Sequence, residues 1–322
     1  MPTVTLLGPQ VREPNLSEAL RLSHLKGPFV SISAGWQERE GEINELMAHV
    51  DAEVQDLGIY ALTEDIFSAD RELRQAHRER QARLQEMQDL YSLQLAHAKS
   101  AARELFVHYG TANAAVASNA LRAARRQAIS SLRRLDRAHL AAIQRQHLQF
   151  ERALEPASRP SVRQALTRVR KQLAVASAVL IAGGHVAVLI NRLRLLGGNA
   201  LFGGHPVVAW SAGAMAIAES IVLYHDHPPQ GAANAEVFET GLGLIRGVIP
   251  LPHAQSRLAL HDSARIALFA RRFAPSACLT LDTGACLHFD ERGLRYHSGS
   301  FQLGRKGSLD EIATRSRMPE AR

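Results

Sequence analysis

The chain has 322 residues, 46% of them hydrophobic, and can bury the core of one large domain or two modest ones. Its net charge of +7 combines +11 in residues 68–172, where 20 Lys and Arg outnumber 9 Asp and Glu, with −4 in the rest of the chain. Two cysteines exclude a disulfide scaffold and a cysteine-rich zinc site, and the absence of a signal-like start or a long apolar run predicts a cytoplasmic protein without a membrane partner.

The first part of the chain predicts the beginning of an α/β domain, which we assign to residues 1–67. Short apolar runs predict strands, and amphipathic stretches between them predict helices. Because strands that alternate with helices pair in parallel, a mostly parallel sheet flanked by helices is expected. The predicted strands are residues 4–7, 28–33 and 58–62, and the predicted helices are residues 16–25 and 40–56.

Residues 68–175 predict a long helical insertion. Between Ser68 and Tyr109 there is no proline or glycine, and apolar residues recur at steps of three and four. A second segment of this kind stops near Pro156, and a third helix is expected from Pro160 to about Leu173. The first two helices predict an antiparallel hairpin that turns within residues 110–113.

The insertion is rich in arginine, including the pairs Arg125-Arg126 and Arg133-Arg134, which makes nucleic-acid binding one alternative. However, the whole chain has 34 Arg and only 4 Lys, and no aromatic residues are interleaved as a base-stacking platform. Alanine and leucine stripes favour packing of the arm on itself or on a second copy. We therefore rank homo-oligomer formation or gating of the active site above nucleic-acid binding.

The α/β pattern resumes in residues 176–306, followed by a polar tail at 307–322. A strand ending at Ala182 leads through Gly183-Gly184 into a helix. The next strand ends at Trp210 and leads through Ser211 into another helix. These predicted helices are residues 185–196, 214–223 and 256–273, and the predicted strands are residues 179–182, 206–210, 247–251, 277–281, 285–289 and 294–297.

The sequence Ala-Trp-Ser-Ala-Gly around Ser211 is typical of a nucleophile elbow. Such a turn needs small residues two before and two after the nucleophile, because strand and helix cross closely there. The N–H of Ala212, at the positive end of the following helix, and the Gly183-Gly184 turn would form an oxyanion hole. A purely structural turn serine is the alternative, since small-x-Ser-x-Gly strings are common.

Three stretches, WSAGA, the upstream VLIAGGHVAVLINRLR and the downstream GLGLIRGVIPLPHA, resemble the peptidase E and cyanophycinase family of serine peptidases. The resemblance implies a class I glutamine amidotransferase-like, flavodoxin-like fold, with serine in place of the cysteine nucleophile. It covers residues 176–300 well, residues 1–62 weakly and the insertion not at all. Glutaminase activity is disfavoured because those enzymes need the more nucleophilic cysteine thiolate.

The resemblance implies a catalytic triad in which Ser211 is the nucleophile, His253 the general base and Asp226 the acid that orients the histidine. A hydroxyl becomes a good nucleophile when a neutral imidazole takes its proton, and a carboxylate fixes the tautomer of that imidazole. Asp282 stands where the family has an Asp-Glu pair, and it stays open as the alternative acid.

Four residues are weaker candidates for substrate binding: His185, Trp210, Arg257 and Arg265. His185 stands where the family turn has Asn or Asp. By the same resemblance, aspartyl-specific members hold a carboxylate with an arginine on the helix after the histidine, and the spacing does not choose between Arg257 and Arg265.

Two further patterns are ambiguous. Residues 34–36, Ala-Gly-Trp, end the second strand at the edge where open α/β sheets bind ligands. They either line the pocket or begin the next helix, and we favour the second interpretation. His225 and His227 have His-x-His spacing, but no third ligand follows at a diagnostic distance, so no metal or other cofactor is expected.

The sequence therefore predicts a serine hydrolase that cleaves an amide bond in a small peptide or isopeptide through an acyl-enzyme, with aspartyl substrates among the candidates. The alternative is a non-catalytic, amidotransferase-like binding or scaffold protein whose helical arm binds a protein or nucleic-acid partner.

Overall fold

The fold is described by a computed structural model for residues 2–107, 119–226 and 233–312. Its strands are β1 (Val4–Leu7), β2 (Phe29–Ile32), β3 (Val54–Asp56), β4 (Ala178–Ile181), β5 (Val207–Trp210), β6 (Ser220–His225), β7 (Ala233–Thr240), β8 (Val248–Pro252), β9 (Ala277–Leu281), β10 (Cys286–Asp290), β11 (Gly293–Ser298), β12 (Gln302–Leu303) and β13 (Leu309–Asp310). Its α-helices are α1 (Leu16–Leu22), α2 (Asn44–Ala48), α3 (Ile59–Ala69), α4 (Arg71–Val107), α5 (Asn119–Leu154), α6 (Pro160–Leu173), α7 (Val186–Leu195), α8 (Ala212–Ile217), α9 (Ala254–Arg257) and α10 (Ser263–Phe273).

A seven-stranded sheet with the order β11-β10-β1-β5-β4-β2-β3 lies at the centre. Strands β1, β5, β4, β2 and β3 pair in parallel, and β10 pairs antiparallel with β1. This confirms the predicted α/β class with a mostly parallel sheet. From β2 the chain continues to β3, at one edge of the sheet, whereas from β4 it continues to β5, on the side away from that edge. The carboxyl ends of β2 and β4 therefore flank a topological switch point, where open α/β sheets bind ligands.

Two smaller sheets complete the β structure of the described ranges: β13-β12-β9-β8 and the antiparallel pair β6-β7. Strands β8 and β9 are parallel neighbours, so the residues that follow them, His253 and Asp282, begin at adjacent strand ends. The N–H of His253 donates to the carbonyl oxygen of Leu281 at 3.1 Å. No helix in the described ranges is long and apolar enough to cross a membrane.

The insertion contains the two long helices that the sequence predicts, α4 with 37 residues and α5 with 36. They run antiparallel: Tyr91 donates to Asp136, while nearer the arm's tip Arg125 donates to the carbonyl of Leu105. The predicted turn at residues 110–113 lies outside the described residues. Both helices also pack against α10 and β7 of the α/β part. Self-association of the arm or gating of the active site stays a prediction, with nucleic-acid binding as the lower-ranked alternative, and the domain boundaries stay predictions too.

The predicted helix over 40–56 is much too long, because only the short α2 (Asn44–Ala48) forms within it, and the predicted strand over 58–62 is wrong. Strand β3 occupies the end of the first range and extends the parallel sheet beside β2, and α3 begins within the second. The carboxylate of Glu40 accepts from the N–H of Tyr60 at 2.7 Å and so caps α3 from 20 residues away. A local sequence pattern cannot predict where a helix begins when a residue from another segment caps it through a tertiary contact.

The predicted helix over 214–223 is too long, because α8 ends at Ile217 and β6 follows. The GLGL segment ends this helix by binding its last carbonyl groups. The N–H of Leu242 donates to Ala216 O at 2.8 Å, and that of Leu244 donates to Ile217 O at 2.9 Å. The motif therefore acts as a helix stop supplied from a distant part of the chain.

The predicted single helix over 256–273 is two helices, α9 and α10. Asp262 caps α10, because its Oδ1 accepts from the N–H of Arg265 at 3.0 Å. The break leaves Arg257 at the end of a short helix that starts directly after His253. Strands β7, β12 and β13 have no counterpart among the predicted elements.

Candidate active site

Ser211 occupies the sharp turn between β5 and α8. Its backbone has φ 50° and ψ −121°, a conformation that is strained for a residue with a side chain and that is found at functional sites. Gly213 is required here: a Cβ atom at this position would collide with the carbonyl oxygen of Ile181 and lie 2.8 Å from that of Ala182. The turn therefore presents one serine on a tightly packed strand-to-helix crossing.

The Gly183-Gly184 turn follows β4 and lies directly beside this serine. A Cβ on Gly183 would lie 2.9 Å from the Cβ of Ser211, and a Cβ on Gly184 would collide with the backbone of Gly35. Within the described ranges, the N–H groups of Gly184 and Ala212 donate to no protein acceptor. Two unused backbone donors thus accompany the serine at the start of α8.

His185 joins this turn to the loop after β2, because its N–H donates to Gly35 O at 2.7 Å. Its imidazole is exposed and accepts weakly from the N–H of Val188, at 3.4 Å, at the beginning of α7. The side chain therefore caps a helix, and it does not line the cavity described next.

A cavity of about 440 Å³ opens above the turn. His185, Asp226, Arg265 and Asp282 do not line it. It brings together most of the residues predicted from the sequence: Gly183, Gly184, Trp210, Ser211, Ala212, His253 and Arg257.

His253 follows β8 in the left-handed backbone conformation, with φ 59°, and its half-buried side chain faces the cavity. Burial, and secondarily the positive charge of Arg257, lower the pKa of this histidine below its ordinary value. In the described part of the chain, no hydrogen bond joins its ring to Ser211 Oγ or to a carboxylate. The lowered pKa favours the neutral imidazole, which is the form that a general base must have.

Asp226 holds the segment that follows His253. Its carboxylate forms a bidentate ion pair with Arg265 and accepts from the N–H of Ala259 at 3.0 Å. Its own N–H donates to Arg257 O at 2.7 Å. The role of Asp226 as the orienting acid stays a prediction. Of the two arginines predicted to bind substrate, Arg265 forms this ion pair and does not line the cavity, whereas Arg257 does line it.

Asp282 lies on the other side of the same segment. Its Oδ1 accepts from the N–H of Gln255 at 2.9 Å, at the beginning of α9. Burial raises the pKa of this carboxyl group, and the hydrogen bond from Gln255 partly opposes the shift. Its role as the alternative acid likewise stays a prediction.

Other residues also line the cavity, among them Trp36, Tyr224 and His225. Residues Ala34–Arg39 form a 3₁₀ helix, and Trp36 lies over Gly184, so both interpretations of Ala-Gly-Trp apply. Tyr224 donates to Pro252 O at 2.6 Å and so supports the residue before His253. The sequence signal that could have placed His225 in the site is its position directly before Asp226, the predicted acid.

The His-x-His pattern includes His227, which lies outside the described residues. Among the residues that the structure does describe, no group of three or more His, Cys, Asp or Glu side chains could hold a metal ion.

Residues 136–296, half of the chain, match the family model of Peptidase family S51. No curated protein matches the chain. A crystal structure of a peptidase from an acI-B1 Actinobacterium is 13% identical, with a TM-score of 0.45, covering 98% of this chain and 94% of that one. A Listeria monocytogenes EGD-e protein assigned to peptidase E is 16% identical, with a TM-score of 0.30, covering 41% and 64%. Neither similarity bears on activity.

Proposed function

Because this chain belongs to peptidase family S51, we propose that it cleaves an amide bond in a peptide or isopeptide through an acyl-enzyme formed on Ser211. The observation that carries the proposal is the strained conformation of Ser211 at the floor of the cavity that His253 also lines. Strain of this kind persists only where the surrounding structure imposes it, and here Gly213 and the glycine turn do so.

In the proposed reaction, Ser211 Oγ attacks the amide carbon while the neutral His253 imidazole takes its proton. The carbonyl oxygen becomes an oxyanion, which the N–H groups of Ala212 and Gly184 stabilise. His253 then gives its proton to the departing amine, leaving an ester on Ser211. Water activated by the same imidazole hydrolyses this ester and restores the hydroxyl. This step requires the imidazole within hydrogen-bond reach of Oγ.

A fluorophosphonate probe tests this proposal, because it phosphonylates only an activated serine. We expect stoichiometric labelling that peptide mapping places on Ser211, and no labelling of Ser211→Ala. Ser158→Ala, at an exposed serine in the short 3₁₀ helix after α5, is the matched control and should label like the wild type. A folded wild-type protein that does not label would contradict the proposal and favour the non-catalytic binding protein.

The pH dependence of kcat/KM provides a second prediction. A base must be neutral, so activity falls as pH falls through the pKa of His253, and the lowered pKa places this acid limb below about pH 6.5. Arg257→Gln removes one cause of the lowering and is expected to move the limb to higher pH. Burial, the larger cause, remains. An acid limb that stays in place in Arg257→Gln would show that another group titrates.

A further inference from the structure

The cavity beside Ser211 has two chemically different halves. The lining residues include no Asp, Glu or Lys among those described. The apolar half is formed mainly by Val11, Leu16, Trp36, Leu46 and Trp210, with the polar side chains of Gln10 and His49 beside them. The basic half contains His225, His253 and Arg257, together with Met215, Leu223 and Tyr224.

The two halves are built on opposite faces of the central sheet. Successive residues of a strand point to opposite faces, so Trp210 and Ala209 belong to different apolar clusters. Leu16 and Leu46 share the cluster of Trp210, and Trp36 packs against it. Strand β8, which leads to His253, buries its first residue in the other cluster and packs against α8. Ser211 therefore lies between the apolar half and the basic half.

This arrangement orients the substrate, given the proposed function on which the inference rests. His253 must protonate the departing amine, so the amine lies over the basic half. The acyl residue then extends from the carbonyl carbon to the other side of Ser211. We infer that the apolar half receives a bulky apolar side chain on the acyl side of the scissile bond, aromatic or large aliphatic.

The lining discriminates against charged acyl residues for a simple reason. A phenylalanine or leucine side chain loses unfavourable contact with water when it enters the apolar half. An aspartyl side chain would give up hydration there with no Arg or Lys to pair with and only the exposed His49 imidazole and the Gln10 amide as polar neighbours, and an arginyl side chain would find no carboxylate. Differences of this kind are worth about tenfold or more in kcat/KM.

The outer wall of the apolar half is preformed. This wall is the loop before α1, and the side-chain amide of Gln10 stabilises the loop by hydrogen bonds across it. The oxygen of this amide accepts from the N–H groups of Asn15 and Leu16 at 3.0 and 2.9 Å. Its nitrogen donates to Gly8 O at 2.9 Å and to the Asn15 side chain at 2.8 Å. Val11, at the exposed tip of this loop, can be substituted without disturbing buried packing.

The experiment compares kcat/KM for Phe-Ala, Leu-Ala, Asp-Ala and Arg-Ala, measured by release of alanine. We expect the first two to exceed the last two by at least about tenfold. Val11→Arg places a cation in the apolar half and should raise the Asp-Ala to Phe-Ala ratio about fivefold. Val11→Gln, of similar length but uncharged, is the matched control and should change that ratio less.

Fluorophosphonate labelling of the same preparations separates the possible failures. If Ser211 is labelled but Asp-Ala or Arg-Ala is cleaved as fast as Phe-Ala, the apolar acyl site is overturned and the proposed peptidase stands. Labelling without cleavage of Phe-Ala or Leu-Ala also overturns the apolar site. If a folded protein is not labelled, both proposals fail.

Discussion

Replacing Ser211 with alanine is expected to lower kcat by at least about a thousandfold, and replacing His253 with alanine should lower it by a comparable factor. Each change removes the same chemical step, the transfer of the Ser211 proton to an imidazole as Oγ attacks. Because the two residues act as a unit, the double variant should be scarcely worse than either single one. The remaining rate would come from the oxyanion donors and from substrate binding.

Single-turnover and steady-state kinetics on the two single variants and the double variant measure this non-additivity. Circular dichroism should show that all three fold like the wild type, because both side chains face the cavity and make no buried hydrogen bond in the described structure. Multiplicative losses in the double variant would show that Ser211 and His253 act in separate steps. Undiminished activity of His253→Ala would assign the base to another residue, and His225 and His49 are the other histidines in the described cavity lining.

Replacing Asp136 with alanine is expected to destabilise the protein by about 3–5 kcal/mol. Asp136, on α5, forms a bidentate ion pair with Arg272 of α10, at 2.7 and 2.6 Å, and accepts from Tyr91 of α4 at 2.8 Å. All three side chains are buried. Removing the carboxylate leaves the Arg272 guanidinium as an uncompensated buried charge at the junction of the arm and the α/β part.

The free energy of unfolding, from urea denaturation followed by circular dichroism, measures this loss. Glu72→Ala is the matched control. Glu72 is mostly exposed, and its partner Arg159 also forms an ion pair with Asp70, so the arginine keeps a carboxylate partner when Glu72 is removed. It should cost less than about 1 kcal/mol. Equal effects of the two substitutions would show that the arm is not held to the body by this ion pair.

The parts of the fold that were predictable from the sequence are those governed by local periodicity. Proline at the first position of α6 and steps of three and four along α4 and α5 are properties of short windows, and these helices form where expected. The predictions failed where a distant segment supplies the deciding contact. Glu40 caps α3, and the GLGL segment ends α8.

The candidate site divides in the same way. The elbow around Ser211 and the glycine turn were predictable because close crossing of strand and helix admits only small residues at fixed spacing. Tyr224 was not, because it reaches the cavity through the arrangement of the strands and not through any motif of its own, and the pattern around Trp36 left open whether this residue lines the pocket. The two candidate arginines show the difference most clearly. Their spacing makes Arg257 and Arg265 equally good candidates for binding a substrate carboxylate, but Arg265 forms an ion pair with Asp226 and does not line the cavity.

By itself, the sequence determined that this chain is an α/β protein with a helical insertion and a serine at a strained turn, since apolar periodicity and small-residue spacing are local constraints. Only the tertiary structure decided what surrounds that serine. Which side chains share a cavity depends on how parallel strand ends come together at one edge of the sheet. That meeting joined residues from widely separated segments of the chain into an apolar half and a basic half around Ser211.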